Sequence, residues 1–247
     1  EFRRVLFRSR PDILRPMLQG ILRVLSDLSL PQVIIISILP VLFAITVHEV
    51  AHGWIAKFFG DPTAERLGRV TLNPLKHIDP VGTVLVPAAL LFLIALGGKG
   101  FLFGWAKPVP VTWENLRHPK RDMIFVAAAG PAANLLMAIF WGLLAKIANL
   151  LPASVSGIAE PLIYMGLVGI LINVLLMVFN LLPLPPLDGG RVAVGLLPGR
   201  WAWQLSRVEP FGFVILLTLM ITGILWVVIA PPIEFALRFV IAVVGLS

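Results

Sequence analysis

The chain contains no cysteine. Disulfides, thiolate metal ligands and cysteine nucleophiles are therefore excluded as sources of its stability or chemistry. Charge is also scarce, because charged residues make up 13% of the 247 residues, whereas a soluble domain carries about 25%. Hydrophobic residues account for 58% of the sequence. This composition excludes an ordinary soluble domain and predicts a protein that crosses a membrane several times.

Several apolar stretches reach the length of roughly 17–25 residues that a membrane-spanning helix needs. The stretch 81–96 is ambiguous, since it is short and carries Pro87 near its middle. We predict an all-α polytopic membrane protein with about five to six transmembrane helices, one re-entrant or interfacial segment and short β-like loops. The predicted spans are residues 33–59, 123–150, 162–182, 211–229 and, after Pro231-Pro232, the shorter stretch 233–244.

The first residues of the chain differ in character from the rest. The opening EFRRVLFRSR lacks an initiator methionine and resembles translated vector or adapter sequence, so we expect residues 1–10 to be a non-native leader. Residues 11–32 carry Arg15, Arg23 and Asp27 among leucines. That pattern is typical of an amphipathic segment that lies at the membrane surface.

Residues His48-Glu49-Val50-Ala51-His52 form an HExxH motif inside the first predicted span. Histidines four apart lie on the same face of a helix, so they can bind one Zn²⁺ together. The intervening Glu49 is placed to accept a proton from an attacking water. Two ordinary helix histidines are the alternative, but ionisable residues are rare inside spans and usually functional there. The motif therefore predicts a metal site.

A catalytic zinc site uses three protein ligands, and Asp188 is the best candidate for the third. It follows a predicted span, in the stretch NLLPLPPLDGGR. The prolines end the helix, and Gly189 and Gly190 permit a tight turn beside the carboxylate. Another class of membrane metallopeptidase uses a downstream glutamate as third ligand. Its candidates here are Glu114, Glu160, Glu209 and Glu234.

Three motifs together resemble those of the site-2 protease family of intramembrane zinc metallopeptidases. They are HEVAH, GPAANLL and NLLPLPPLDGG, and they occur in the family's order. The chain is most similar to compact bacterial members, which lack an inserted PDZ (peptide-binding) domain. The resemblance implies that His48, His52 and Asp188 bind zinc and that Glu49 is the catalytic base. It also suggests substrate-binding residues, Asn180 and Asn134, although Asn134 could instead serve helix packing.

The function that the resemblance implies is zinc-dependent intramembrane endopeptidase activity with one Zn²⁺ per chain. The enzyme would cleave transmembrane or membrane-proximal segments of proteins, in regulated intramembrane proteolysis. Its partners would be a membrane-protein substrate and the lipid bilayer, without nucleic acid. Residues 33–197 would form the metallopeptidase core, and residues 198–247 would form C-terminal transmembrane helices. The alternative is a transporter or channel that uses intramembrane His, Glu and Asp to transfer a metal or protons.

The metal site also constrains the topology. Its two halves lie near the C-terminal ends of two spans, so those spans must be parallel and an odd number of crossings must separate them. The span 123–150 is one crossing, so we expect residues 81–96 to be re-entrant or interfacial. Strand-like residues 68–72 and 106–111 could pair with substrate or could be plain loops. The resemblance implies a bacterial inner or plasma membrane protein. Basic residues accumulate beside the site, which predicts that the active site faces the cytoplasm.

Overall fold

A computed structural model describes residues 28–95 and 104–246 of the chain. The expected leader at residues 1–10 lies outside the described residues, as does nearly all of the amphipathic segment. A π-helical turn, Pro80–Leu85, precedes the third of the described α-helices. Within the described stretches the α-helices are α1 (Leu30–Phe58), α2 (Thr63–Arg66), α3 (Val86–Ala95), α4 (Pro119–Asn149), α5 (Ser156–Asn180), α6 (Asp188–Leu196), α7 (Gly199–Ser206), α8 (Gly212–Ile221) and α9 (Ile224–Val244).

The described part of the chain confirms the all-α polytopic class. It contains helices and irregular loops but no β-strand, so the loops at 68–72 and 106–111 are irregular. Five helical stretches are long and apolar enough to cross a membrane by length and composition: Pro31–Phe58, Pro119–Asn149, Ser156–Asn180, Gly199–Ile221 and Ile224–Val244.

The main core lies where α4, α5 and α9 pack together. Trp141 of α4, Ile170 and Val174 of α5, and Leu237 and Val240 of α9 are all buried in this cluster. Glycines at two positions of α5 let α4 approach closely, since a Cβ at Gly169 would lie 2.2 Å from the Trp141 ring. Small residues at such contacts are the usual means by which membrane helices pack.

The boundary predicted between the last two spans is wrong. The prediction placed it at Pro231-Pro232, but both prolines lie inside α9. The chain turns instead at Gly223, whose φ of 77° is the left-handed conformation that glycine adopts without strain. Helix is so strongly favoured in a bilayer that prolines are tolerated within it, because neighbouring groups compensate for the lost hydrogen bonds.

The described residues on either side of α3 and the segment after it lie next to each other. The Trp105 N–H donates to the Gly82 carbonyl over 3.0 Å, and the Thr83 hydroxyl donates to the Trp105 carbonyl over 2.8 Å. A single crossing would separate these two ends by the hydrocarbon thickness of about 30 Å. The ends of residues 82–105 therefore lie on one side of the membrane, as the re-entrant or interfacial prediction requires.

Two polar clamps hold the loops between α1 and α4. The Asp61 carboxylate accepts hydrogen bonds from the N–H groups of Thr63 and Thr112 and from the Asn115 amide. Burial alone would raise the pKa of Asp61, but these hydrogen bonds, with that from the Thr63 hydroxyl, hold it below its ordinary value. The buried Arg69 donates to the carbonyls of Lys107 and Pro108. The clamps fix residues 107–112 against the C-terminal half of α1.

Candidate metal centre

Three side chains from two distant parts of the chain converge at one point. The Nε2 atoms of His48 and His52 lie 3.0 Å apart. The Asp188 Oδ2 atom lies 3.2 Å from the first and 3.3 Å from the second. All three residues are buried, with at most 9% of their surface exposed. Among the described residues this is the group of His, Asp and Glu that could hold a metal ion, and it includes none of the four alternative glutamates.

The histidine half of the site depends on a close helix crossing. His48 and His52 lie one turn apart on α1, on the face that α4 covers. A Cβ at Gly130 of α4 would lie 2.4 Å from the His52 Nε2 atom and 2.6 Å from the His48 Nε2 atom. Any larger residue there would occupy the space between the ligand atoms. Glycine at position 130 therefore leaves the room that an ion needs.

The aspartate half depends on a sharp reversal of the chain after α5. Asp188 is the first residue of α6, directly after the proline-rich bend. A Cβ at Gly189 would lie 2.2 Å from the Leu181 carbonyl oxygen, and one at Gly190 would lie 2.2 Å from the Pro185 nitrogen. The two glycines thus let α6 begin in contact with the bend, which returns the Asp188 carboxylate to the histidines.

Hydrogen bonding indicates that the three ligand atoms present lone pairs to one another. The Nδ1 atom of His48 lies 2.6 Å from the Asn134 Oδ1 atom, and that of His52 lies 2.7 Å from the Val126 carbonyl oxygen. Both partners only accept, so the single hydrogen of each neutral imidazole resides on Nδ1. The buried Asp188 Oδ2 atom has no hydrogen-bond donor. Three converging acceptors are satisfied by a cation.

The spacing and chemistry of the donor set fit zinc. Ligands at about 2.0–2.2 Å from a tetrahedral ion stand about 3.3–3.6 Å apart. The observed separations of 3.0–3.3 Å are close to that range. Zinc accepts two imidazole nitrogens and a carboxylate oxygen, and its histidine ligands usually donate the other ring N–H to an oxygen acceptor. His48 and His52 both do so.

Glu49 lies beside this group and is held by a loop. It is half-buried and follows His48 directly in α1. Its Oε2 atom accepts a hydrogen bond of 2.7 Å from the Val109 N–H. Val109 belongs to the segment that Arg69 clamps, so the carboxylate has a fixed orientation.

The two asparagines predicted to bind substrate occupy different surroundings. Asn134 is fully buried, and its oxygen faces His48. Asn180 is half-buried at the end of α5, where its amide donates to the Leu176 carbonyl over 2.9 Å. Their binding of substrate stays a prediction.

Sequence reasoning did not identify the residues that surround the ligands, namely Gly130, Val126, Val109 and Asn173. A polar asparagine within a span was the available signal for Asn173, since such residues are rare there. His77 and Asp79, which are also of metal-binding residue types, are engaged elsewhere: His77 bonds the Thr71 carbonyl, and Asp79 accepts hydrogen bonds from the N–H groups that begin the π-helical turn.

A buried set of two imidazoles and one carboxylate between apolar helices defines a polytopic membrane metalloprotein. Relatives named "Putative zinc metalloprotease" resemble the chain over most of its length. YwhC of Bacillus subtilis is 35% identical over 190 residues, which cover 75% of this chain and 80% of that protein. No protein-family model matches the chain, and no solved structure matches it significantly.

Two mycobacterial relatives, both called Rip2, are also named putative zinc metalloproteases. The protein of Mycolicibacterium smegmatis is 35% identical over 192 residues, and that of Mycobacterium tuberculosis is 30% identical over 184 residues. The matches cover 73% of this chain but 64% of each Rip2 protein. The chain belongs to the site-2 protease family, and its metal is zinc.

We expect the substitution Gly130→Ala to abolish zinc binding, because the added methyl group occupies the space between the two Nε2 atoms. Metal analysis of the purified protein should fall from about one zinc per chain to a small fraction of that. Alanine favours helix over glycine by about 1 kcal/mol, so weakening of α4 cannot explain the loss.

The control for this substitution is Gly142→Ala, three turns further along α4, whose Cβ would contact Val244 rather than a ligand. It should retain zinc. A Gly130→Ala protein with full zinc content would show that the ion does not lie between these histidines.

Proposed function

We propose that this protein is a zinc-dependent intramembrane endopeptidase that cleaves transmembrane or membrane-proximal segments of other proteins, in regulated intramembrane proteolysis. The observation that carries the proposal is the convergence of His48, His52 and Asp188 at a buried point between apolar helices, with Glu49 beside them. A structural histidine pair would need neither a facing carboxylate nor an adjacent glutamate.

The proposed reaction is hydrolysis of a peptide bond. When bound, zinc supplies Lewis-acid chemistry, which polarises the scissile carbonyl and acidifies water. His48, His52 and Asp188 hold the ion, and Glu49 accepts a proton from the attacking water. As the water oxygen bonds to the carbonyl carbon and the C–N bond breaks, Glu49 returns that proton to the leaving nitrogen.

We assign the segment around Val109 to holding Glu49 rather than to pairing with substrate. Its backbone is already engaged: the Lys107 N–H donates to the His77 carbonyl, and the Lys107 and Pro108 carbonyls accept from Arg69. Pro108 and Pro110 have no N–H to offer, and the Val109 N–H bonds Glu49. This hydrogen bond holds in one orientation the carboxylate that accepts the proton in the proposed reaction.

A substrate helix must unwind before it is cut, since helical hydrogen bonds enclose its peptide groups. Residues near the metal must then bind the exposed backbone. Asn180 remains the candidate, because it ends α5 at the bend that carries Asp188 and is partly accessible. Asn134 is fully buried and so is a weaker candidate.

The proposed orientation places the active site toward the cytoplasm. The turn between α4 and α5, residues 150–155, carries no charge, and cytoplasmic loops are enriched in Lys and Arg. The described basic residues near the site-facing ends of the helices are Arg66, Arg69, Lys76, Lys107, Arg117, Lys120, Arg121, Arg191, Arg200 and Arg207.

The substitution Glu49→Gln should give a folded, zinc-loaded and inactive protein. Glutamine keeps the size of the side chain and its acceptor for the Val109 N–H but cannot take a proton. We expect cleavage to fall by roughly 10²- to 10⁴-fold. The measurement is proteolysis of a panel of single-span substrates in detergent, together with metal analysis.

Glu114→Gln is the matched control, since Glu114 is exposed in the loop before α4, and it should cleave normally. Full activity of Glu49→Gln would contradict the protease mechanism. If that variant also retained metal or proton transport in vesicles, the result would favour the transporter alternative.

The substitution Val109→Pro removes the N–H that holds Glu49 while keeping an apolar residue in a segment that already contains Pro108 and Pro110. A hydrogen bond to a charged group contributes about 1.5–3 kcal/mol, so we expect activity to fall by roughly 10- to 100-fold at unchanged zinc content. Val109→Ala keeps the N–H and should lose much less. Equal activity of the two variants would show that this N–H does not act on Glu49.

The absence of native cysteine permits a direct test of orientation with single introduced cysteines. Ser154→Cys, in the exposed turn after α4, should react with a membrane-impermeant maleimide on intact bacterial cells. Arg117→Cys, exposed beside the start of α4, should react only after the cells have been permeabilised. The reverse pattern would place the active site toward the outer side.

A further inference from the structure

Two asparagines lie at the centre of the helix bundle with no surface exposed. Asn134 belongs to α4 and Asn173 to α5, and both are 0% exposed. Burying an amide among apolar helices is costly unless its hydrogen bonds are all made. The hydrogen bonds of these two side chains offset the cost of burial, and they lead to the metal centre.

The asparagines form a directed chain of hydrogen bonds that ends on a metal ligand. The Asn173 amide donates to the Gly169 carbonyl over 2.9 Å. The Asn134 amide donates to the Asn173 Oδ1 atom over 2.9 Å and to the Ala44 carbonyl over 3.1 Å. The Asn134 Oδ1 atom lies 2.6 Å from the His48 Nδ1 atom. The chain thus connects α5, α4 and α1.

Each link has a single possible direction. A backbone carbonyl accepts and never donates, so Gly169 requires the NH₂ group of Asn173 on its side. The Asn173 oxygen then faces Asn134. Because this oxygen and the Ala44 carbonyl oxygen both accept, the group of Asn134 that faces them must be its NH₂ group. The Asn134 oxygen is left to face His48, whose Nδ1 atom must therefore carry the hydrogen.

We propose that Asn134 and Asn173 are positioning residues that hold His48 in its metal-binding tautomer and ring orientation. The hydrogen on Nδ1 leaves the lone pair on Nε2, which is the atom that faces His52 and Asp188. His52 receives the same support from a backbone carbonyl, that of Val126. The inference rests on the proposed zinc enzyme and gives Asn134 a role other than substrate binding.

Zinc affinity tests the proposal without reference to activity. It is measured on purified metal-free protein by competition with a chromophoric chelator. We expect Asn134→Leu to weaken zinc binding by about 10- to 100-fold, the usual cost of losing the group that supports a histidine ligand. Asn173→Leu should weaken it by roughly 2- to 10-fold, because the Ala44 carbonyl still orients Asn134.

Asn134→Asp separates positioning from helix packing. Aspartate keeps an acceptor for the His48 Nδ1–H but places its second oxygen against two acceptors, Ala44 and Asn173. It should therefore bind zinc within about threefold of the wild type, as carboxylate–histidine–zinc arrangements do, while its melting temperature in detergent falls at least as far as that of Asn134→Leu. A purely structural asparagine predicts that zinc affinity and melting temperature fall together.

Co²⁺ substitution gives a second, spectroscopic readout. The visible absorption of tetrahedral Co²⁺ should survive in Asn134→Asp and weaken in Asn134→Leu, because a freed imidazole loosens the coordination. Asn149→Leu is the matched control, since Asn149 is the exposed last residue of α4, about four turns beyond Asn134. It should leave zinc affinity unchanged. If the leucine variant does not purify, Asn134→Ala replaces it.

The outcomes distinguish this inference from the proposed function. Unchanged zinc affinity in Asn134→Leu, or equal losses in the aspartate and leucine variants, would overturn the positioning role. A wild-type protein that binds zinc but cleaves no substrate would overturn the proposed function and leave the positioning role standing. A wild type without zinc affinity would overturn both.

Discussion

The mutual approach of three electron-pair donors inside a bundle of apolar helices is the constraint that the rest of the structure meets. His48, His52 and Asp188 would repel one another at separations of 3.0–3.3 Å without a positive charge between them. In a low dielectric that repulsion is strong, and so is the attraction of each donor for a cation. A bound cation therefore stabilises the packing of the helices at this point, because it removes the repulsion among the three donors.

The three donors must lie at the same level along the membrane normal, and this requirement constrains the topology of the chain. α1 and α5 must point the same way, so one crossing, α4, lies between them. The contact between Trp105 and Gly82 agrees with this, because it places the two ends of residues 82–105 on one side. Space at the meeting point comes from glycines. Gly130 leaves the volume between the imidazoles, and Gly189 and Gly190 let the bend after α5 fold tightly enough to bring back its carboxylate.

Much of the topology and the identity of the metal ligands were predictable, because they follow from patterns within short stretches of sequence. The four-residue spacing of His48 and His52 follows from helix geometry, and spans follow from the length of apolar stretches. The parity of the crossings then predicted that residues 81–96 are re-entrant or interfacial. The boundary at Pro231-Pro232 was predicted wrongly, because in water a proline pair ends a helix, whereas within a membrane bundle the chain turns at Gly223 instead.

The amino-acid sequence by itself determined the membrane class, the metal-binding residue types and the order in which the motifs follow one another. These depend on composition and on spacing along one helix. The tertiary structure alone decided what surrounds the metal ligands: the space at Gly130, the Val109 N–H on Glu49, and the asparagine chain behind His48. Each of these is a contact between segments far apart in sequence, and its direction depends on which donor and acceptor the packed helices bring face to face.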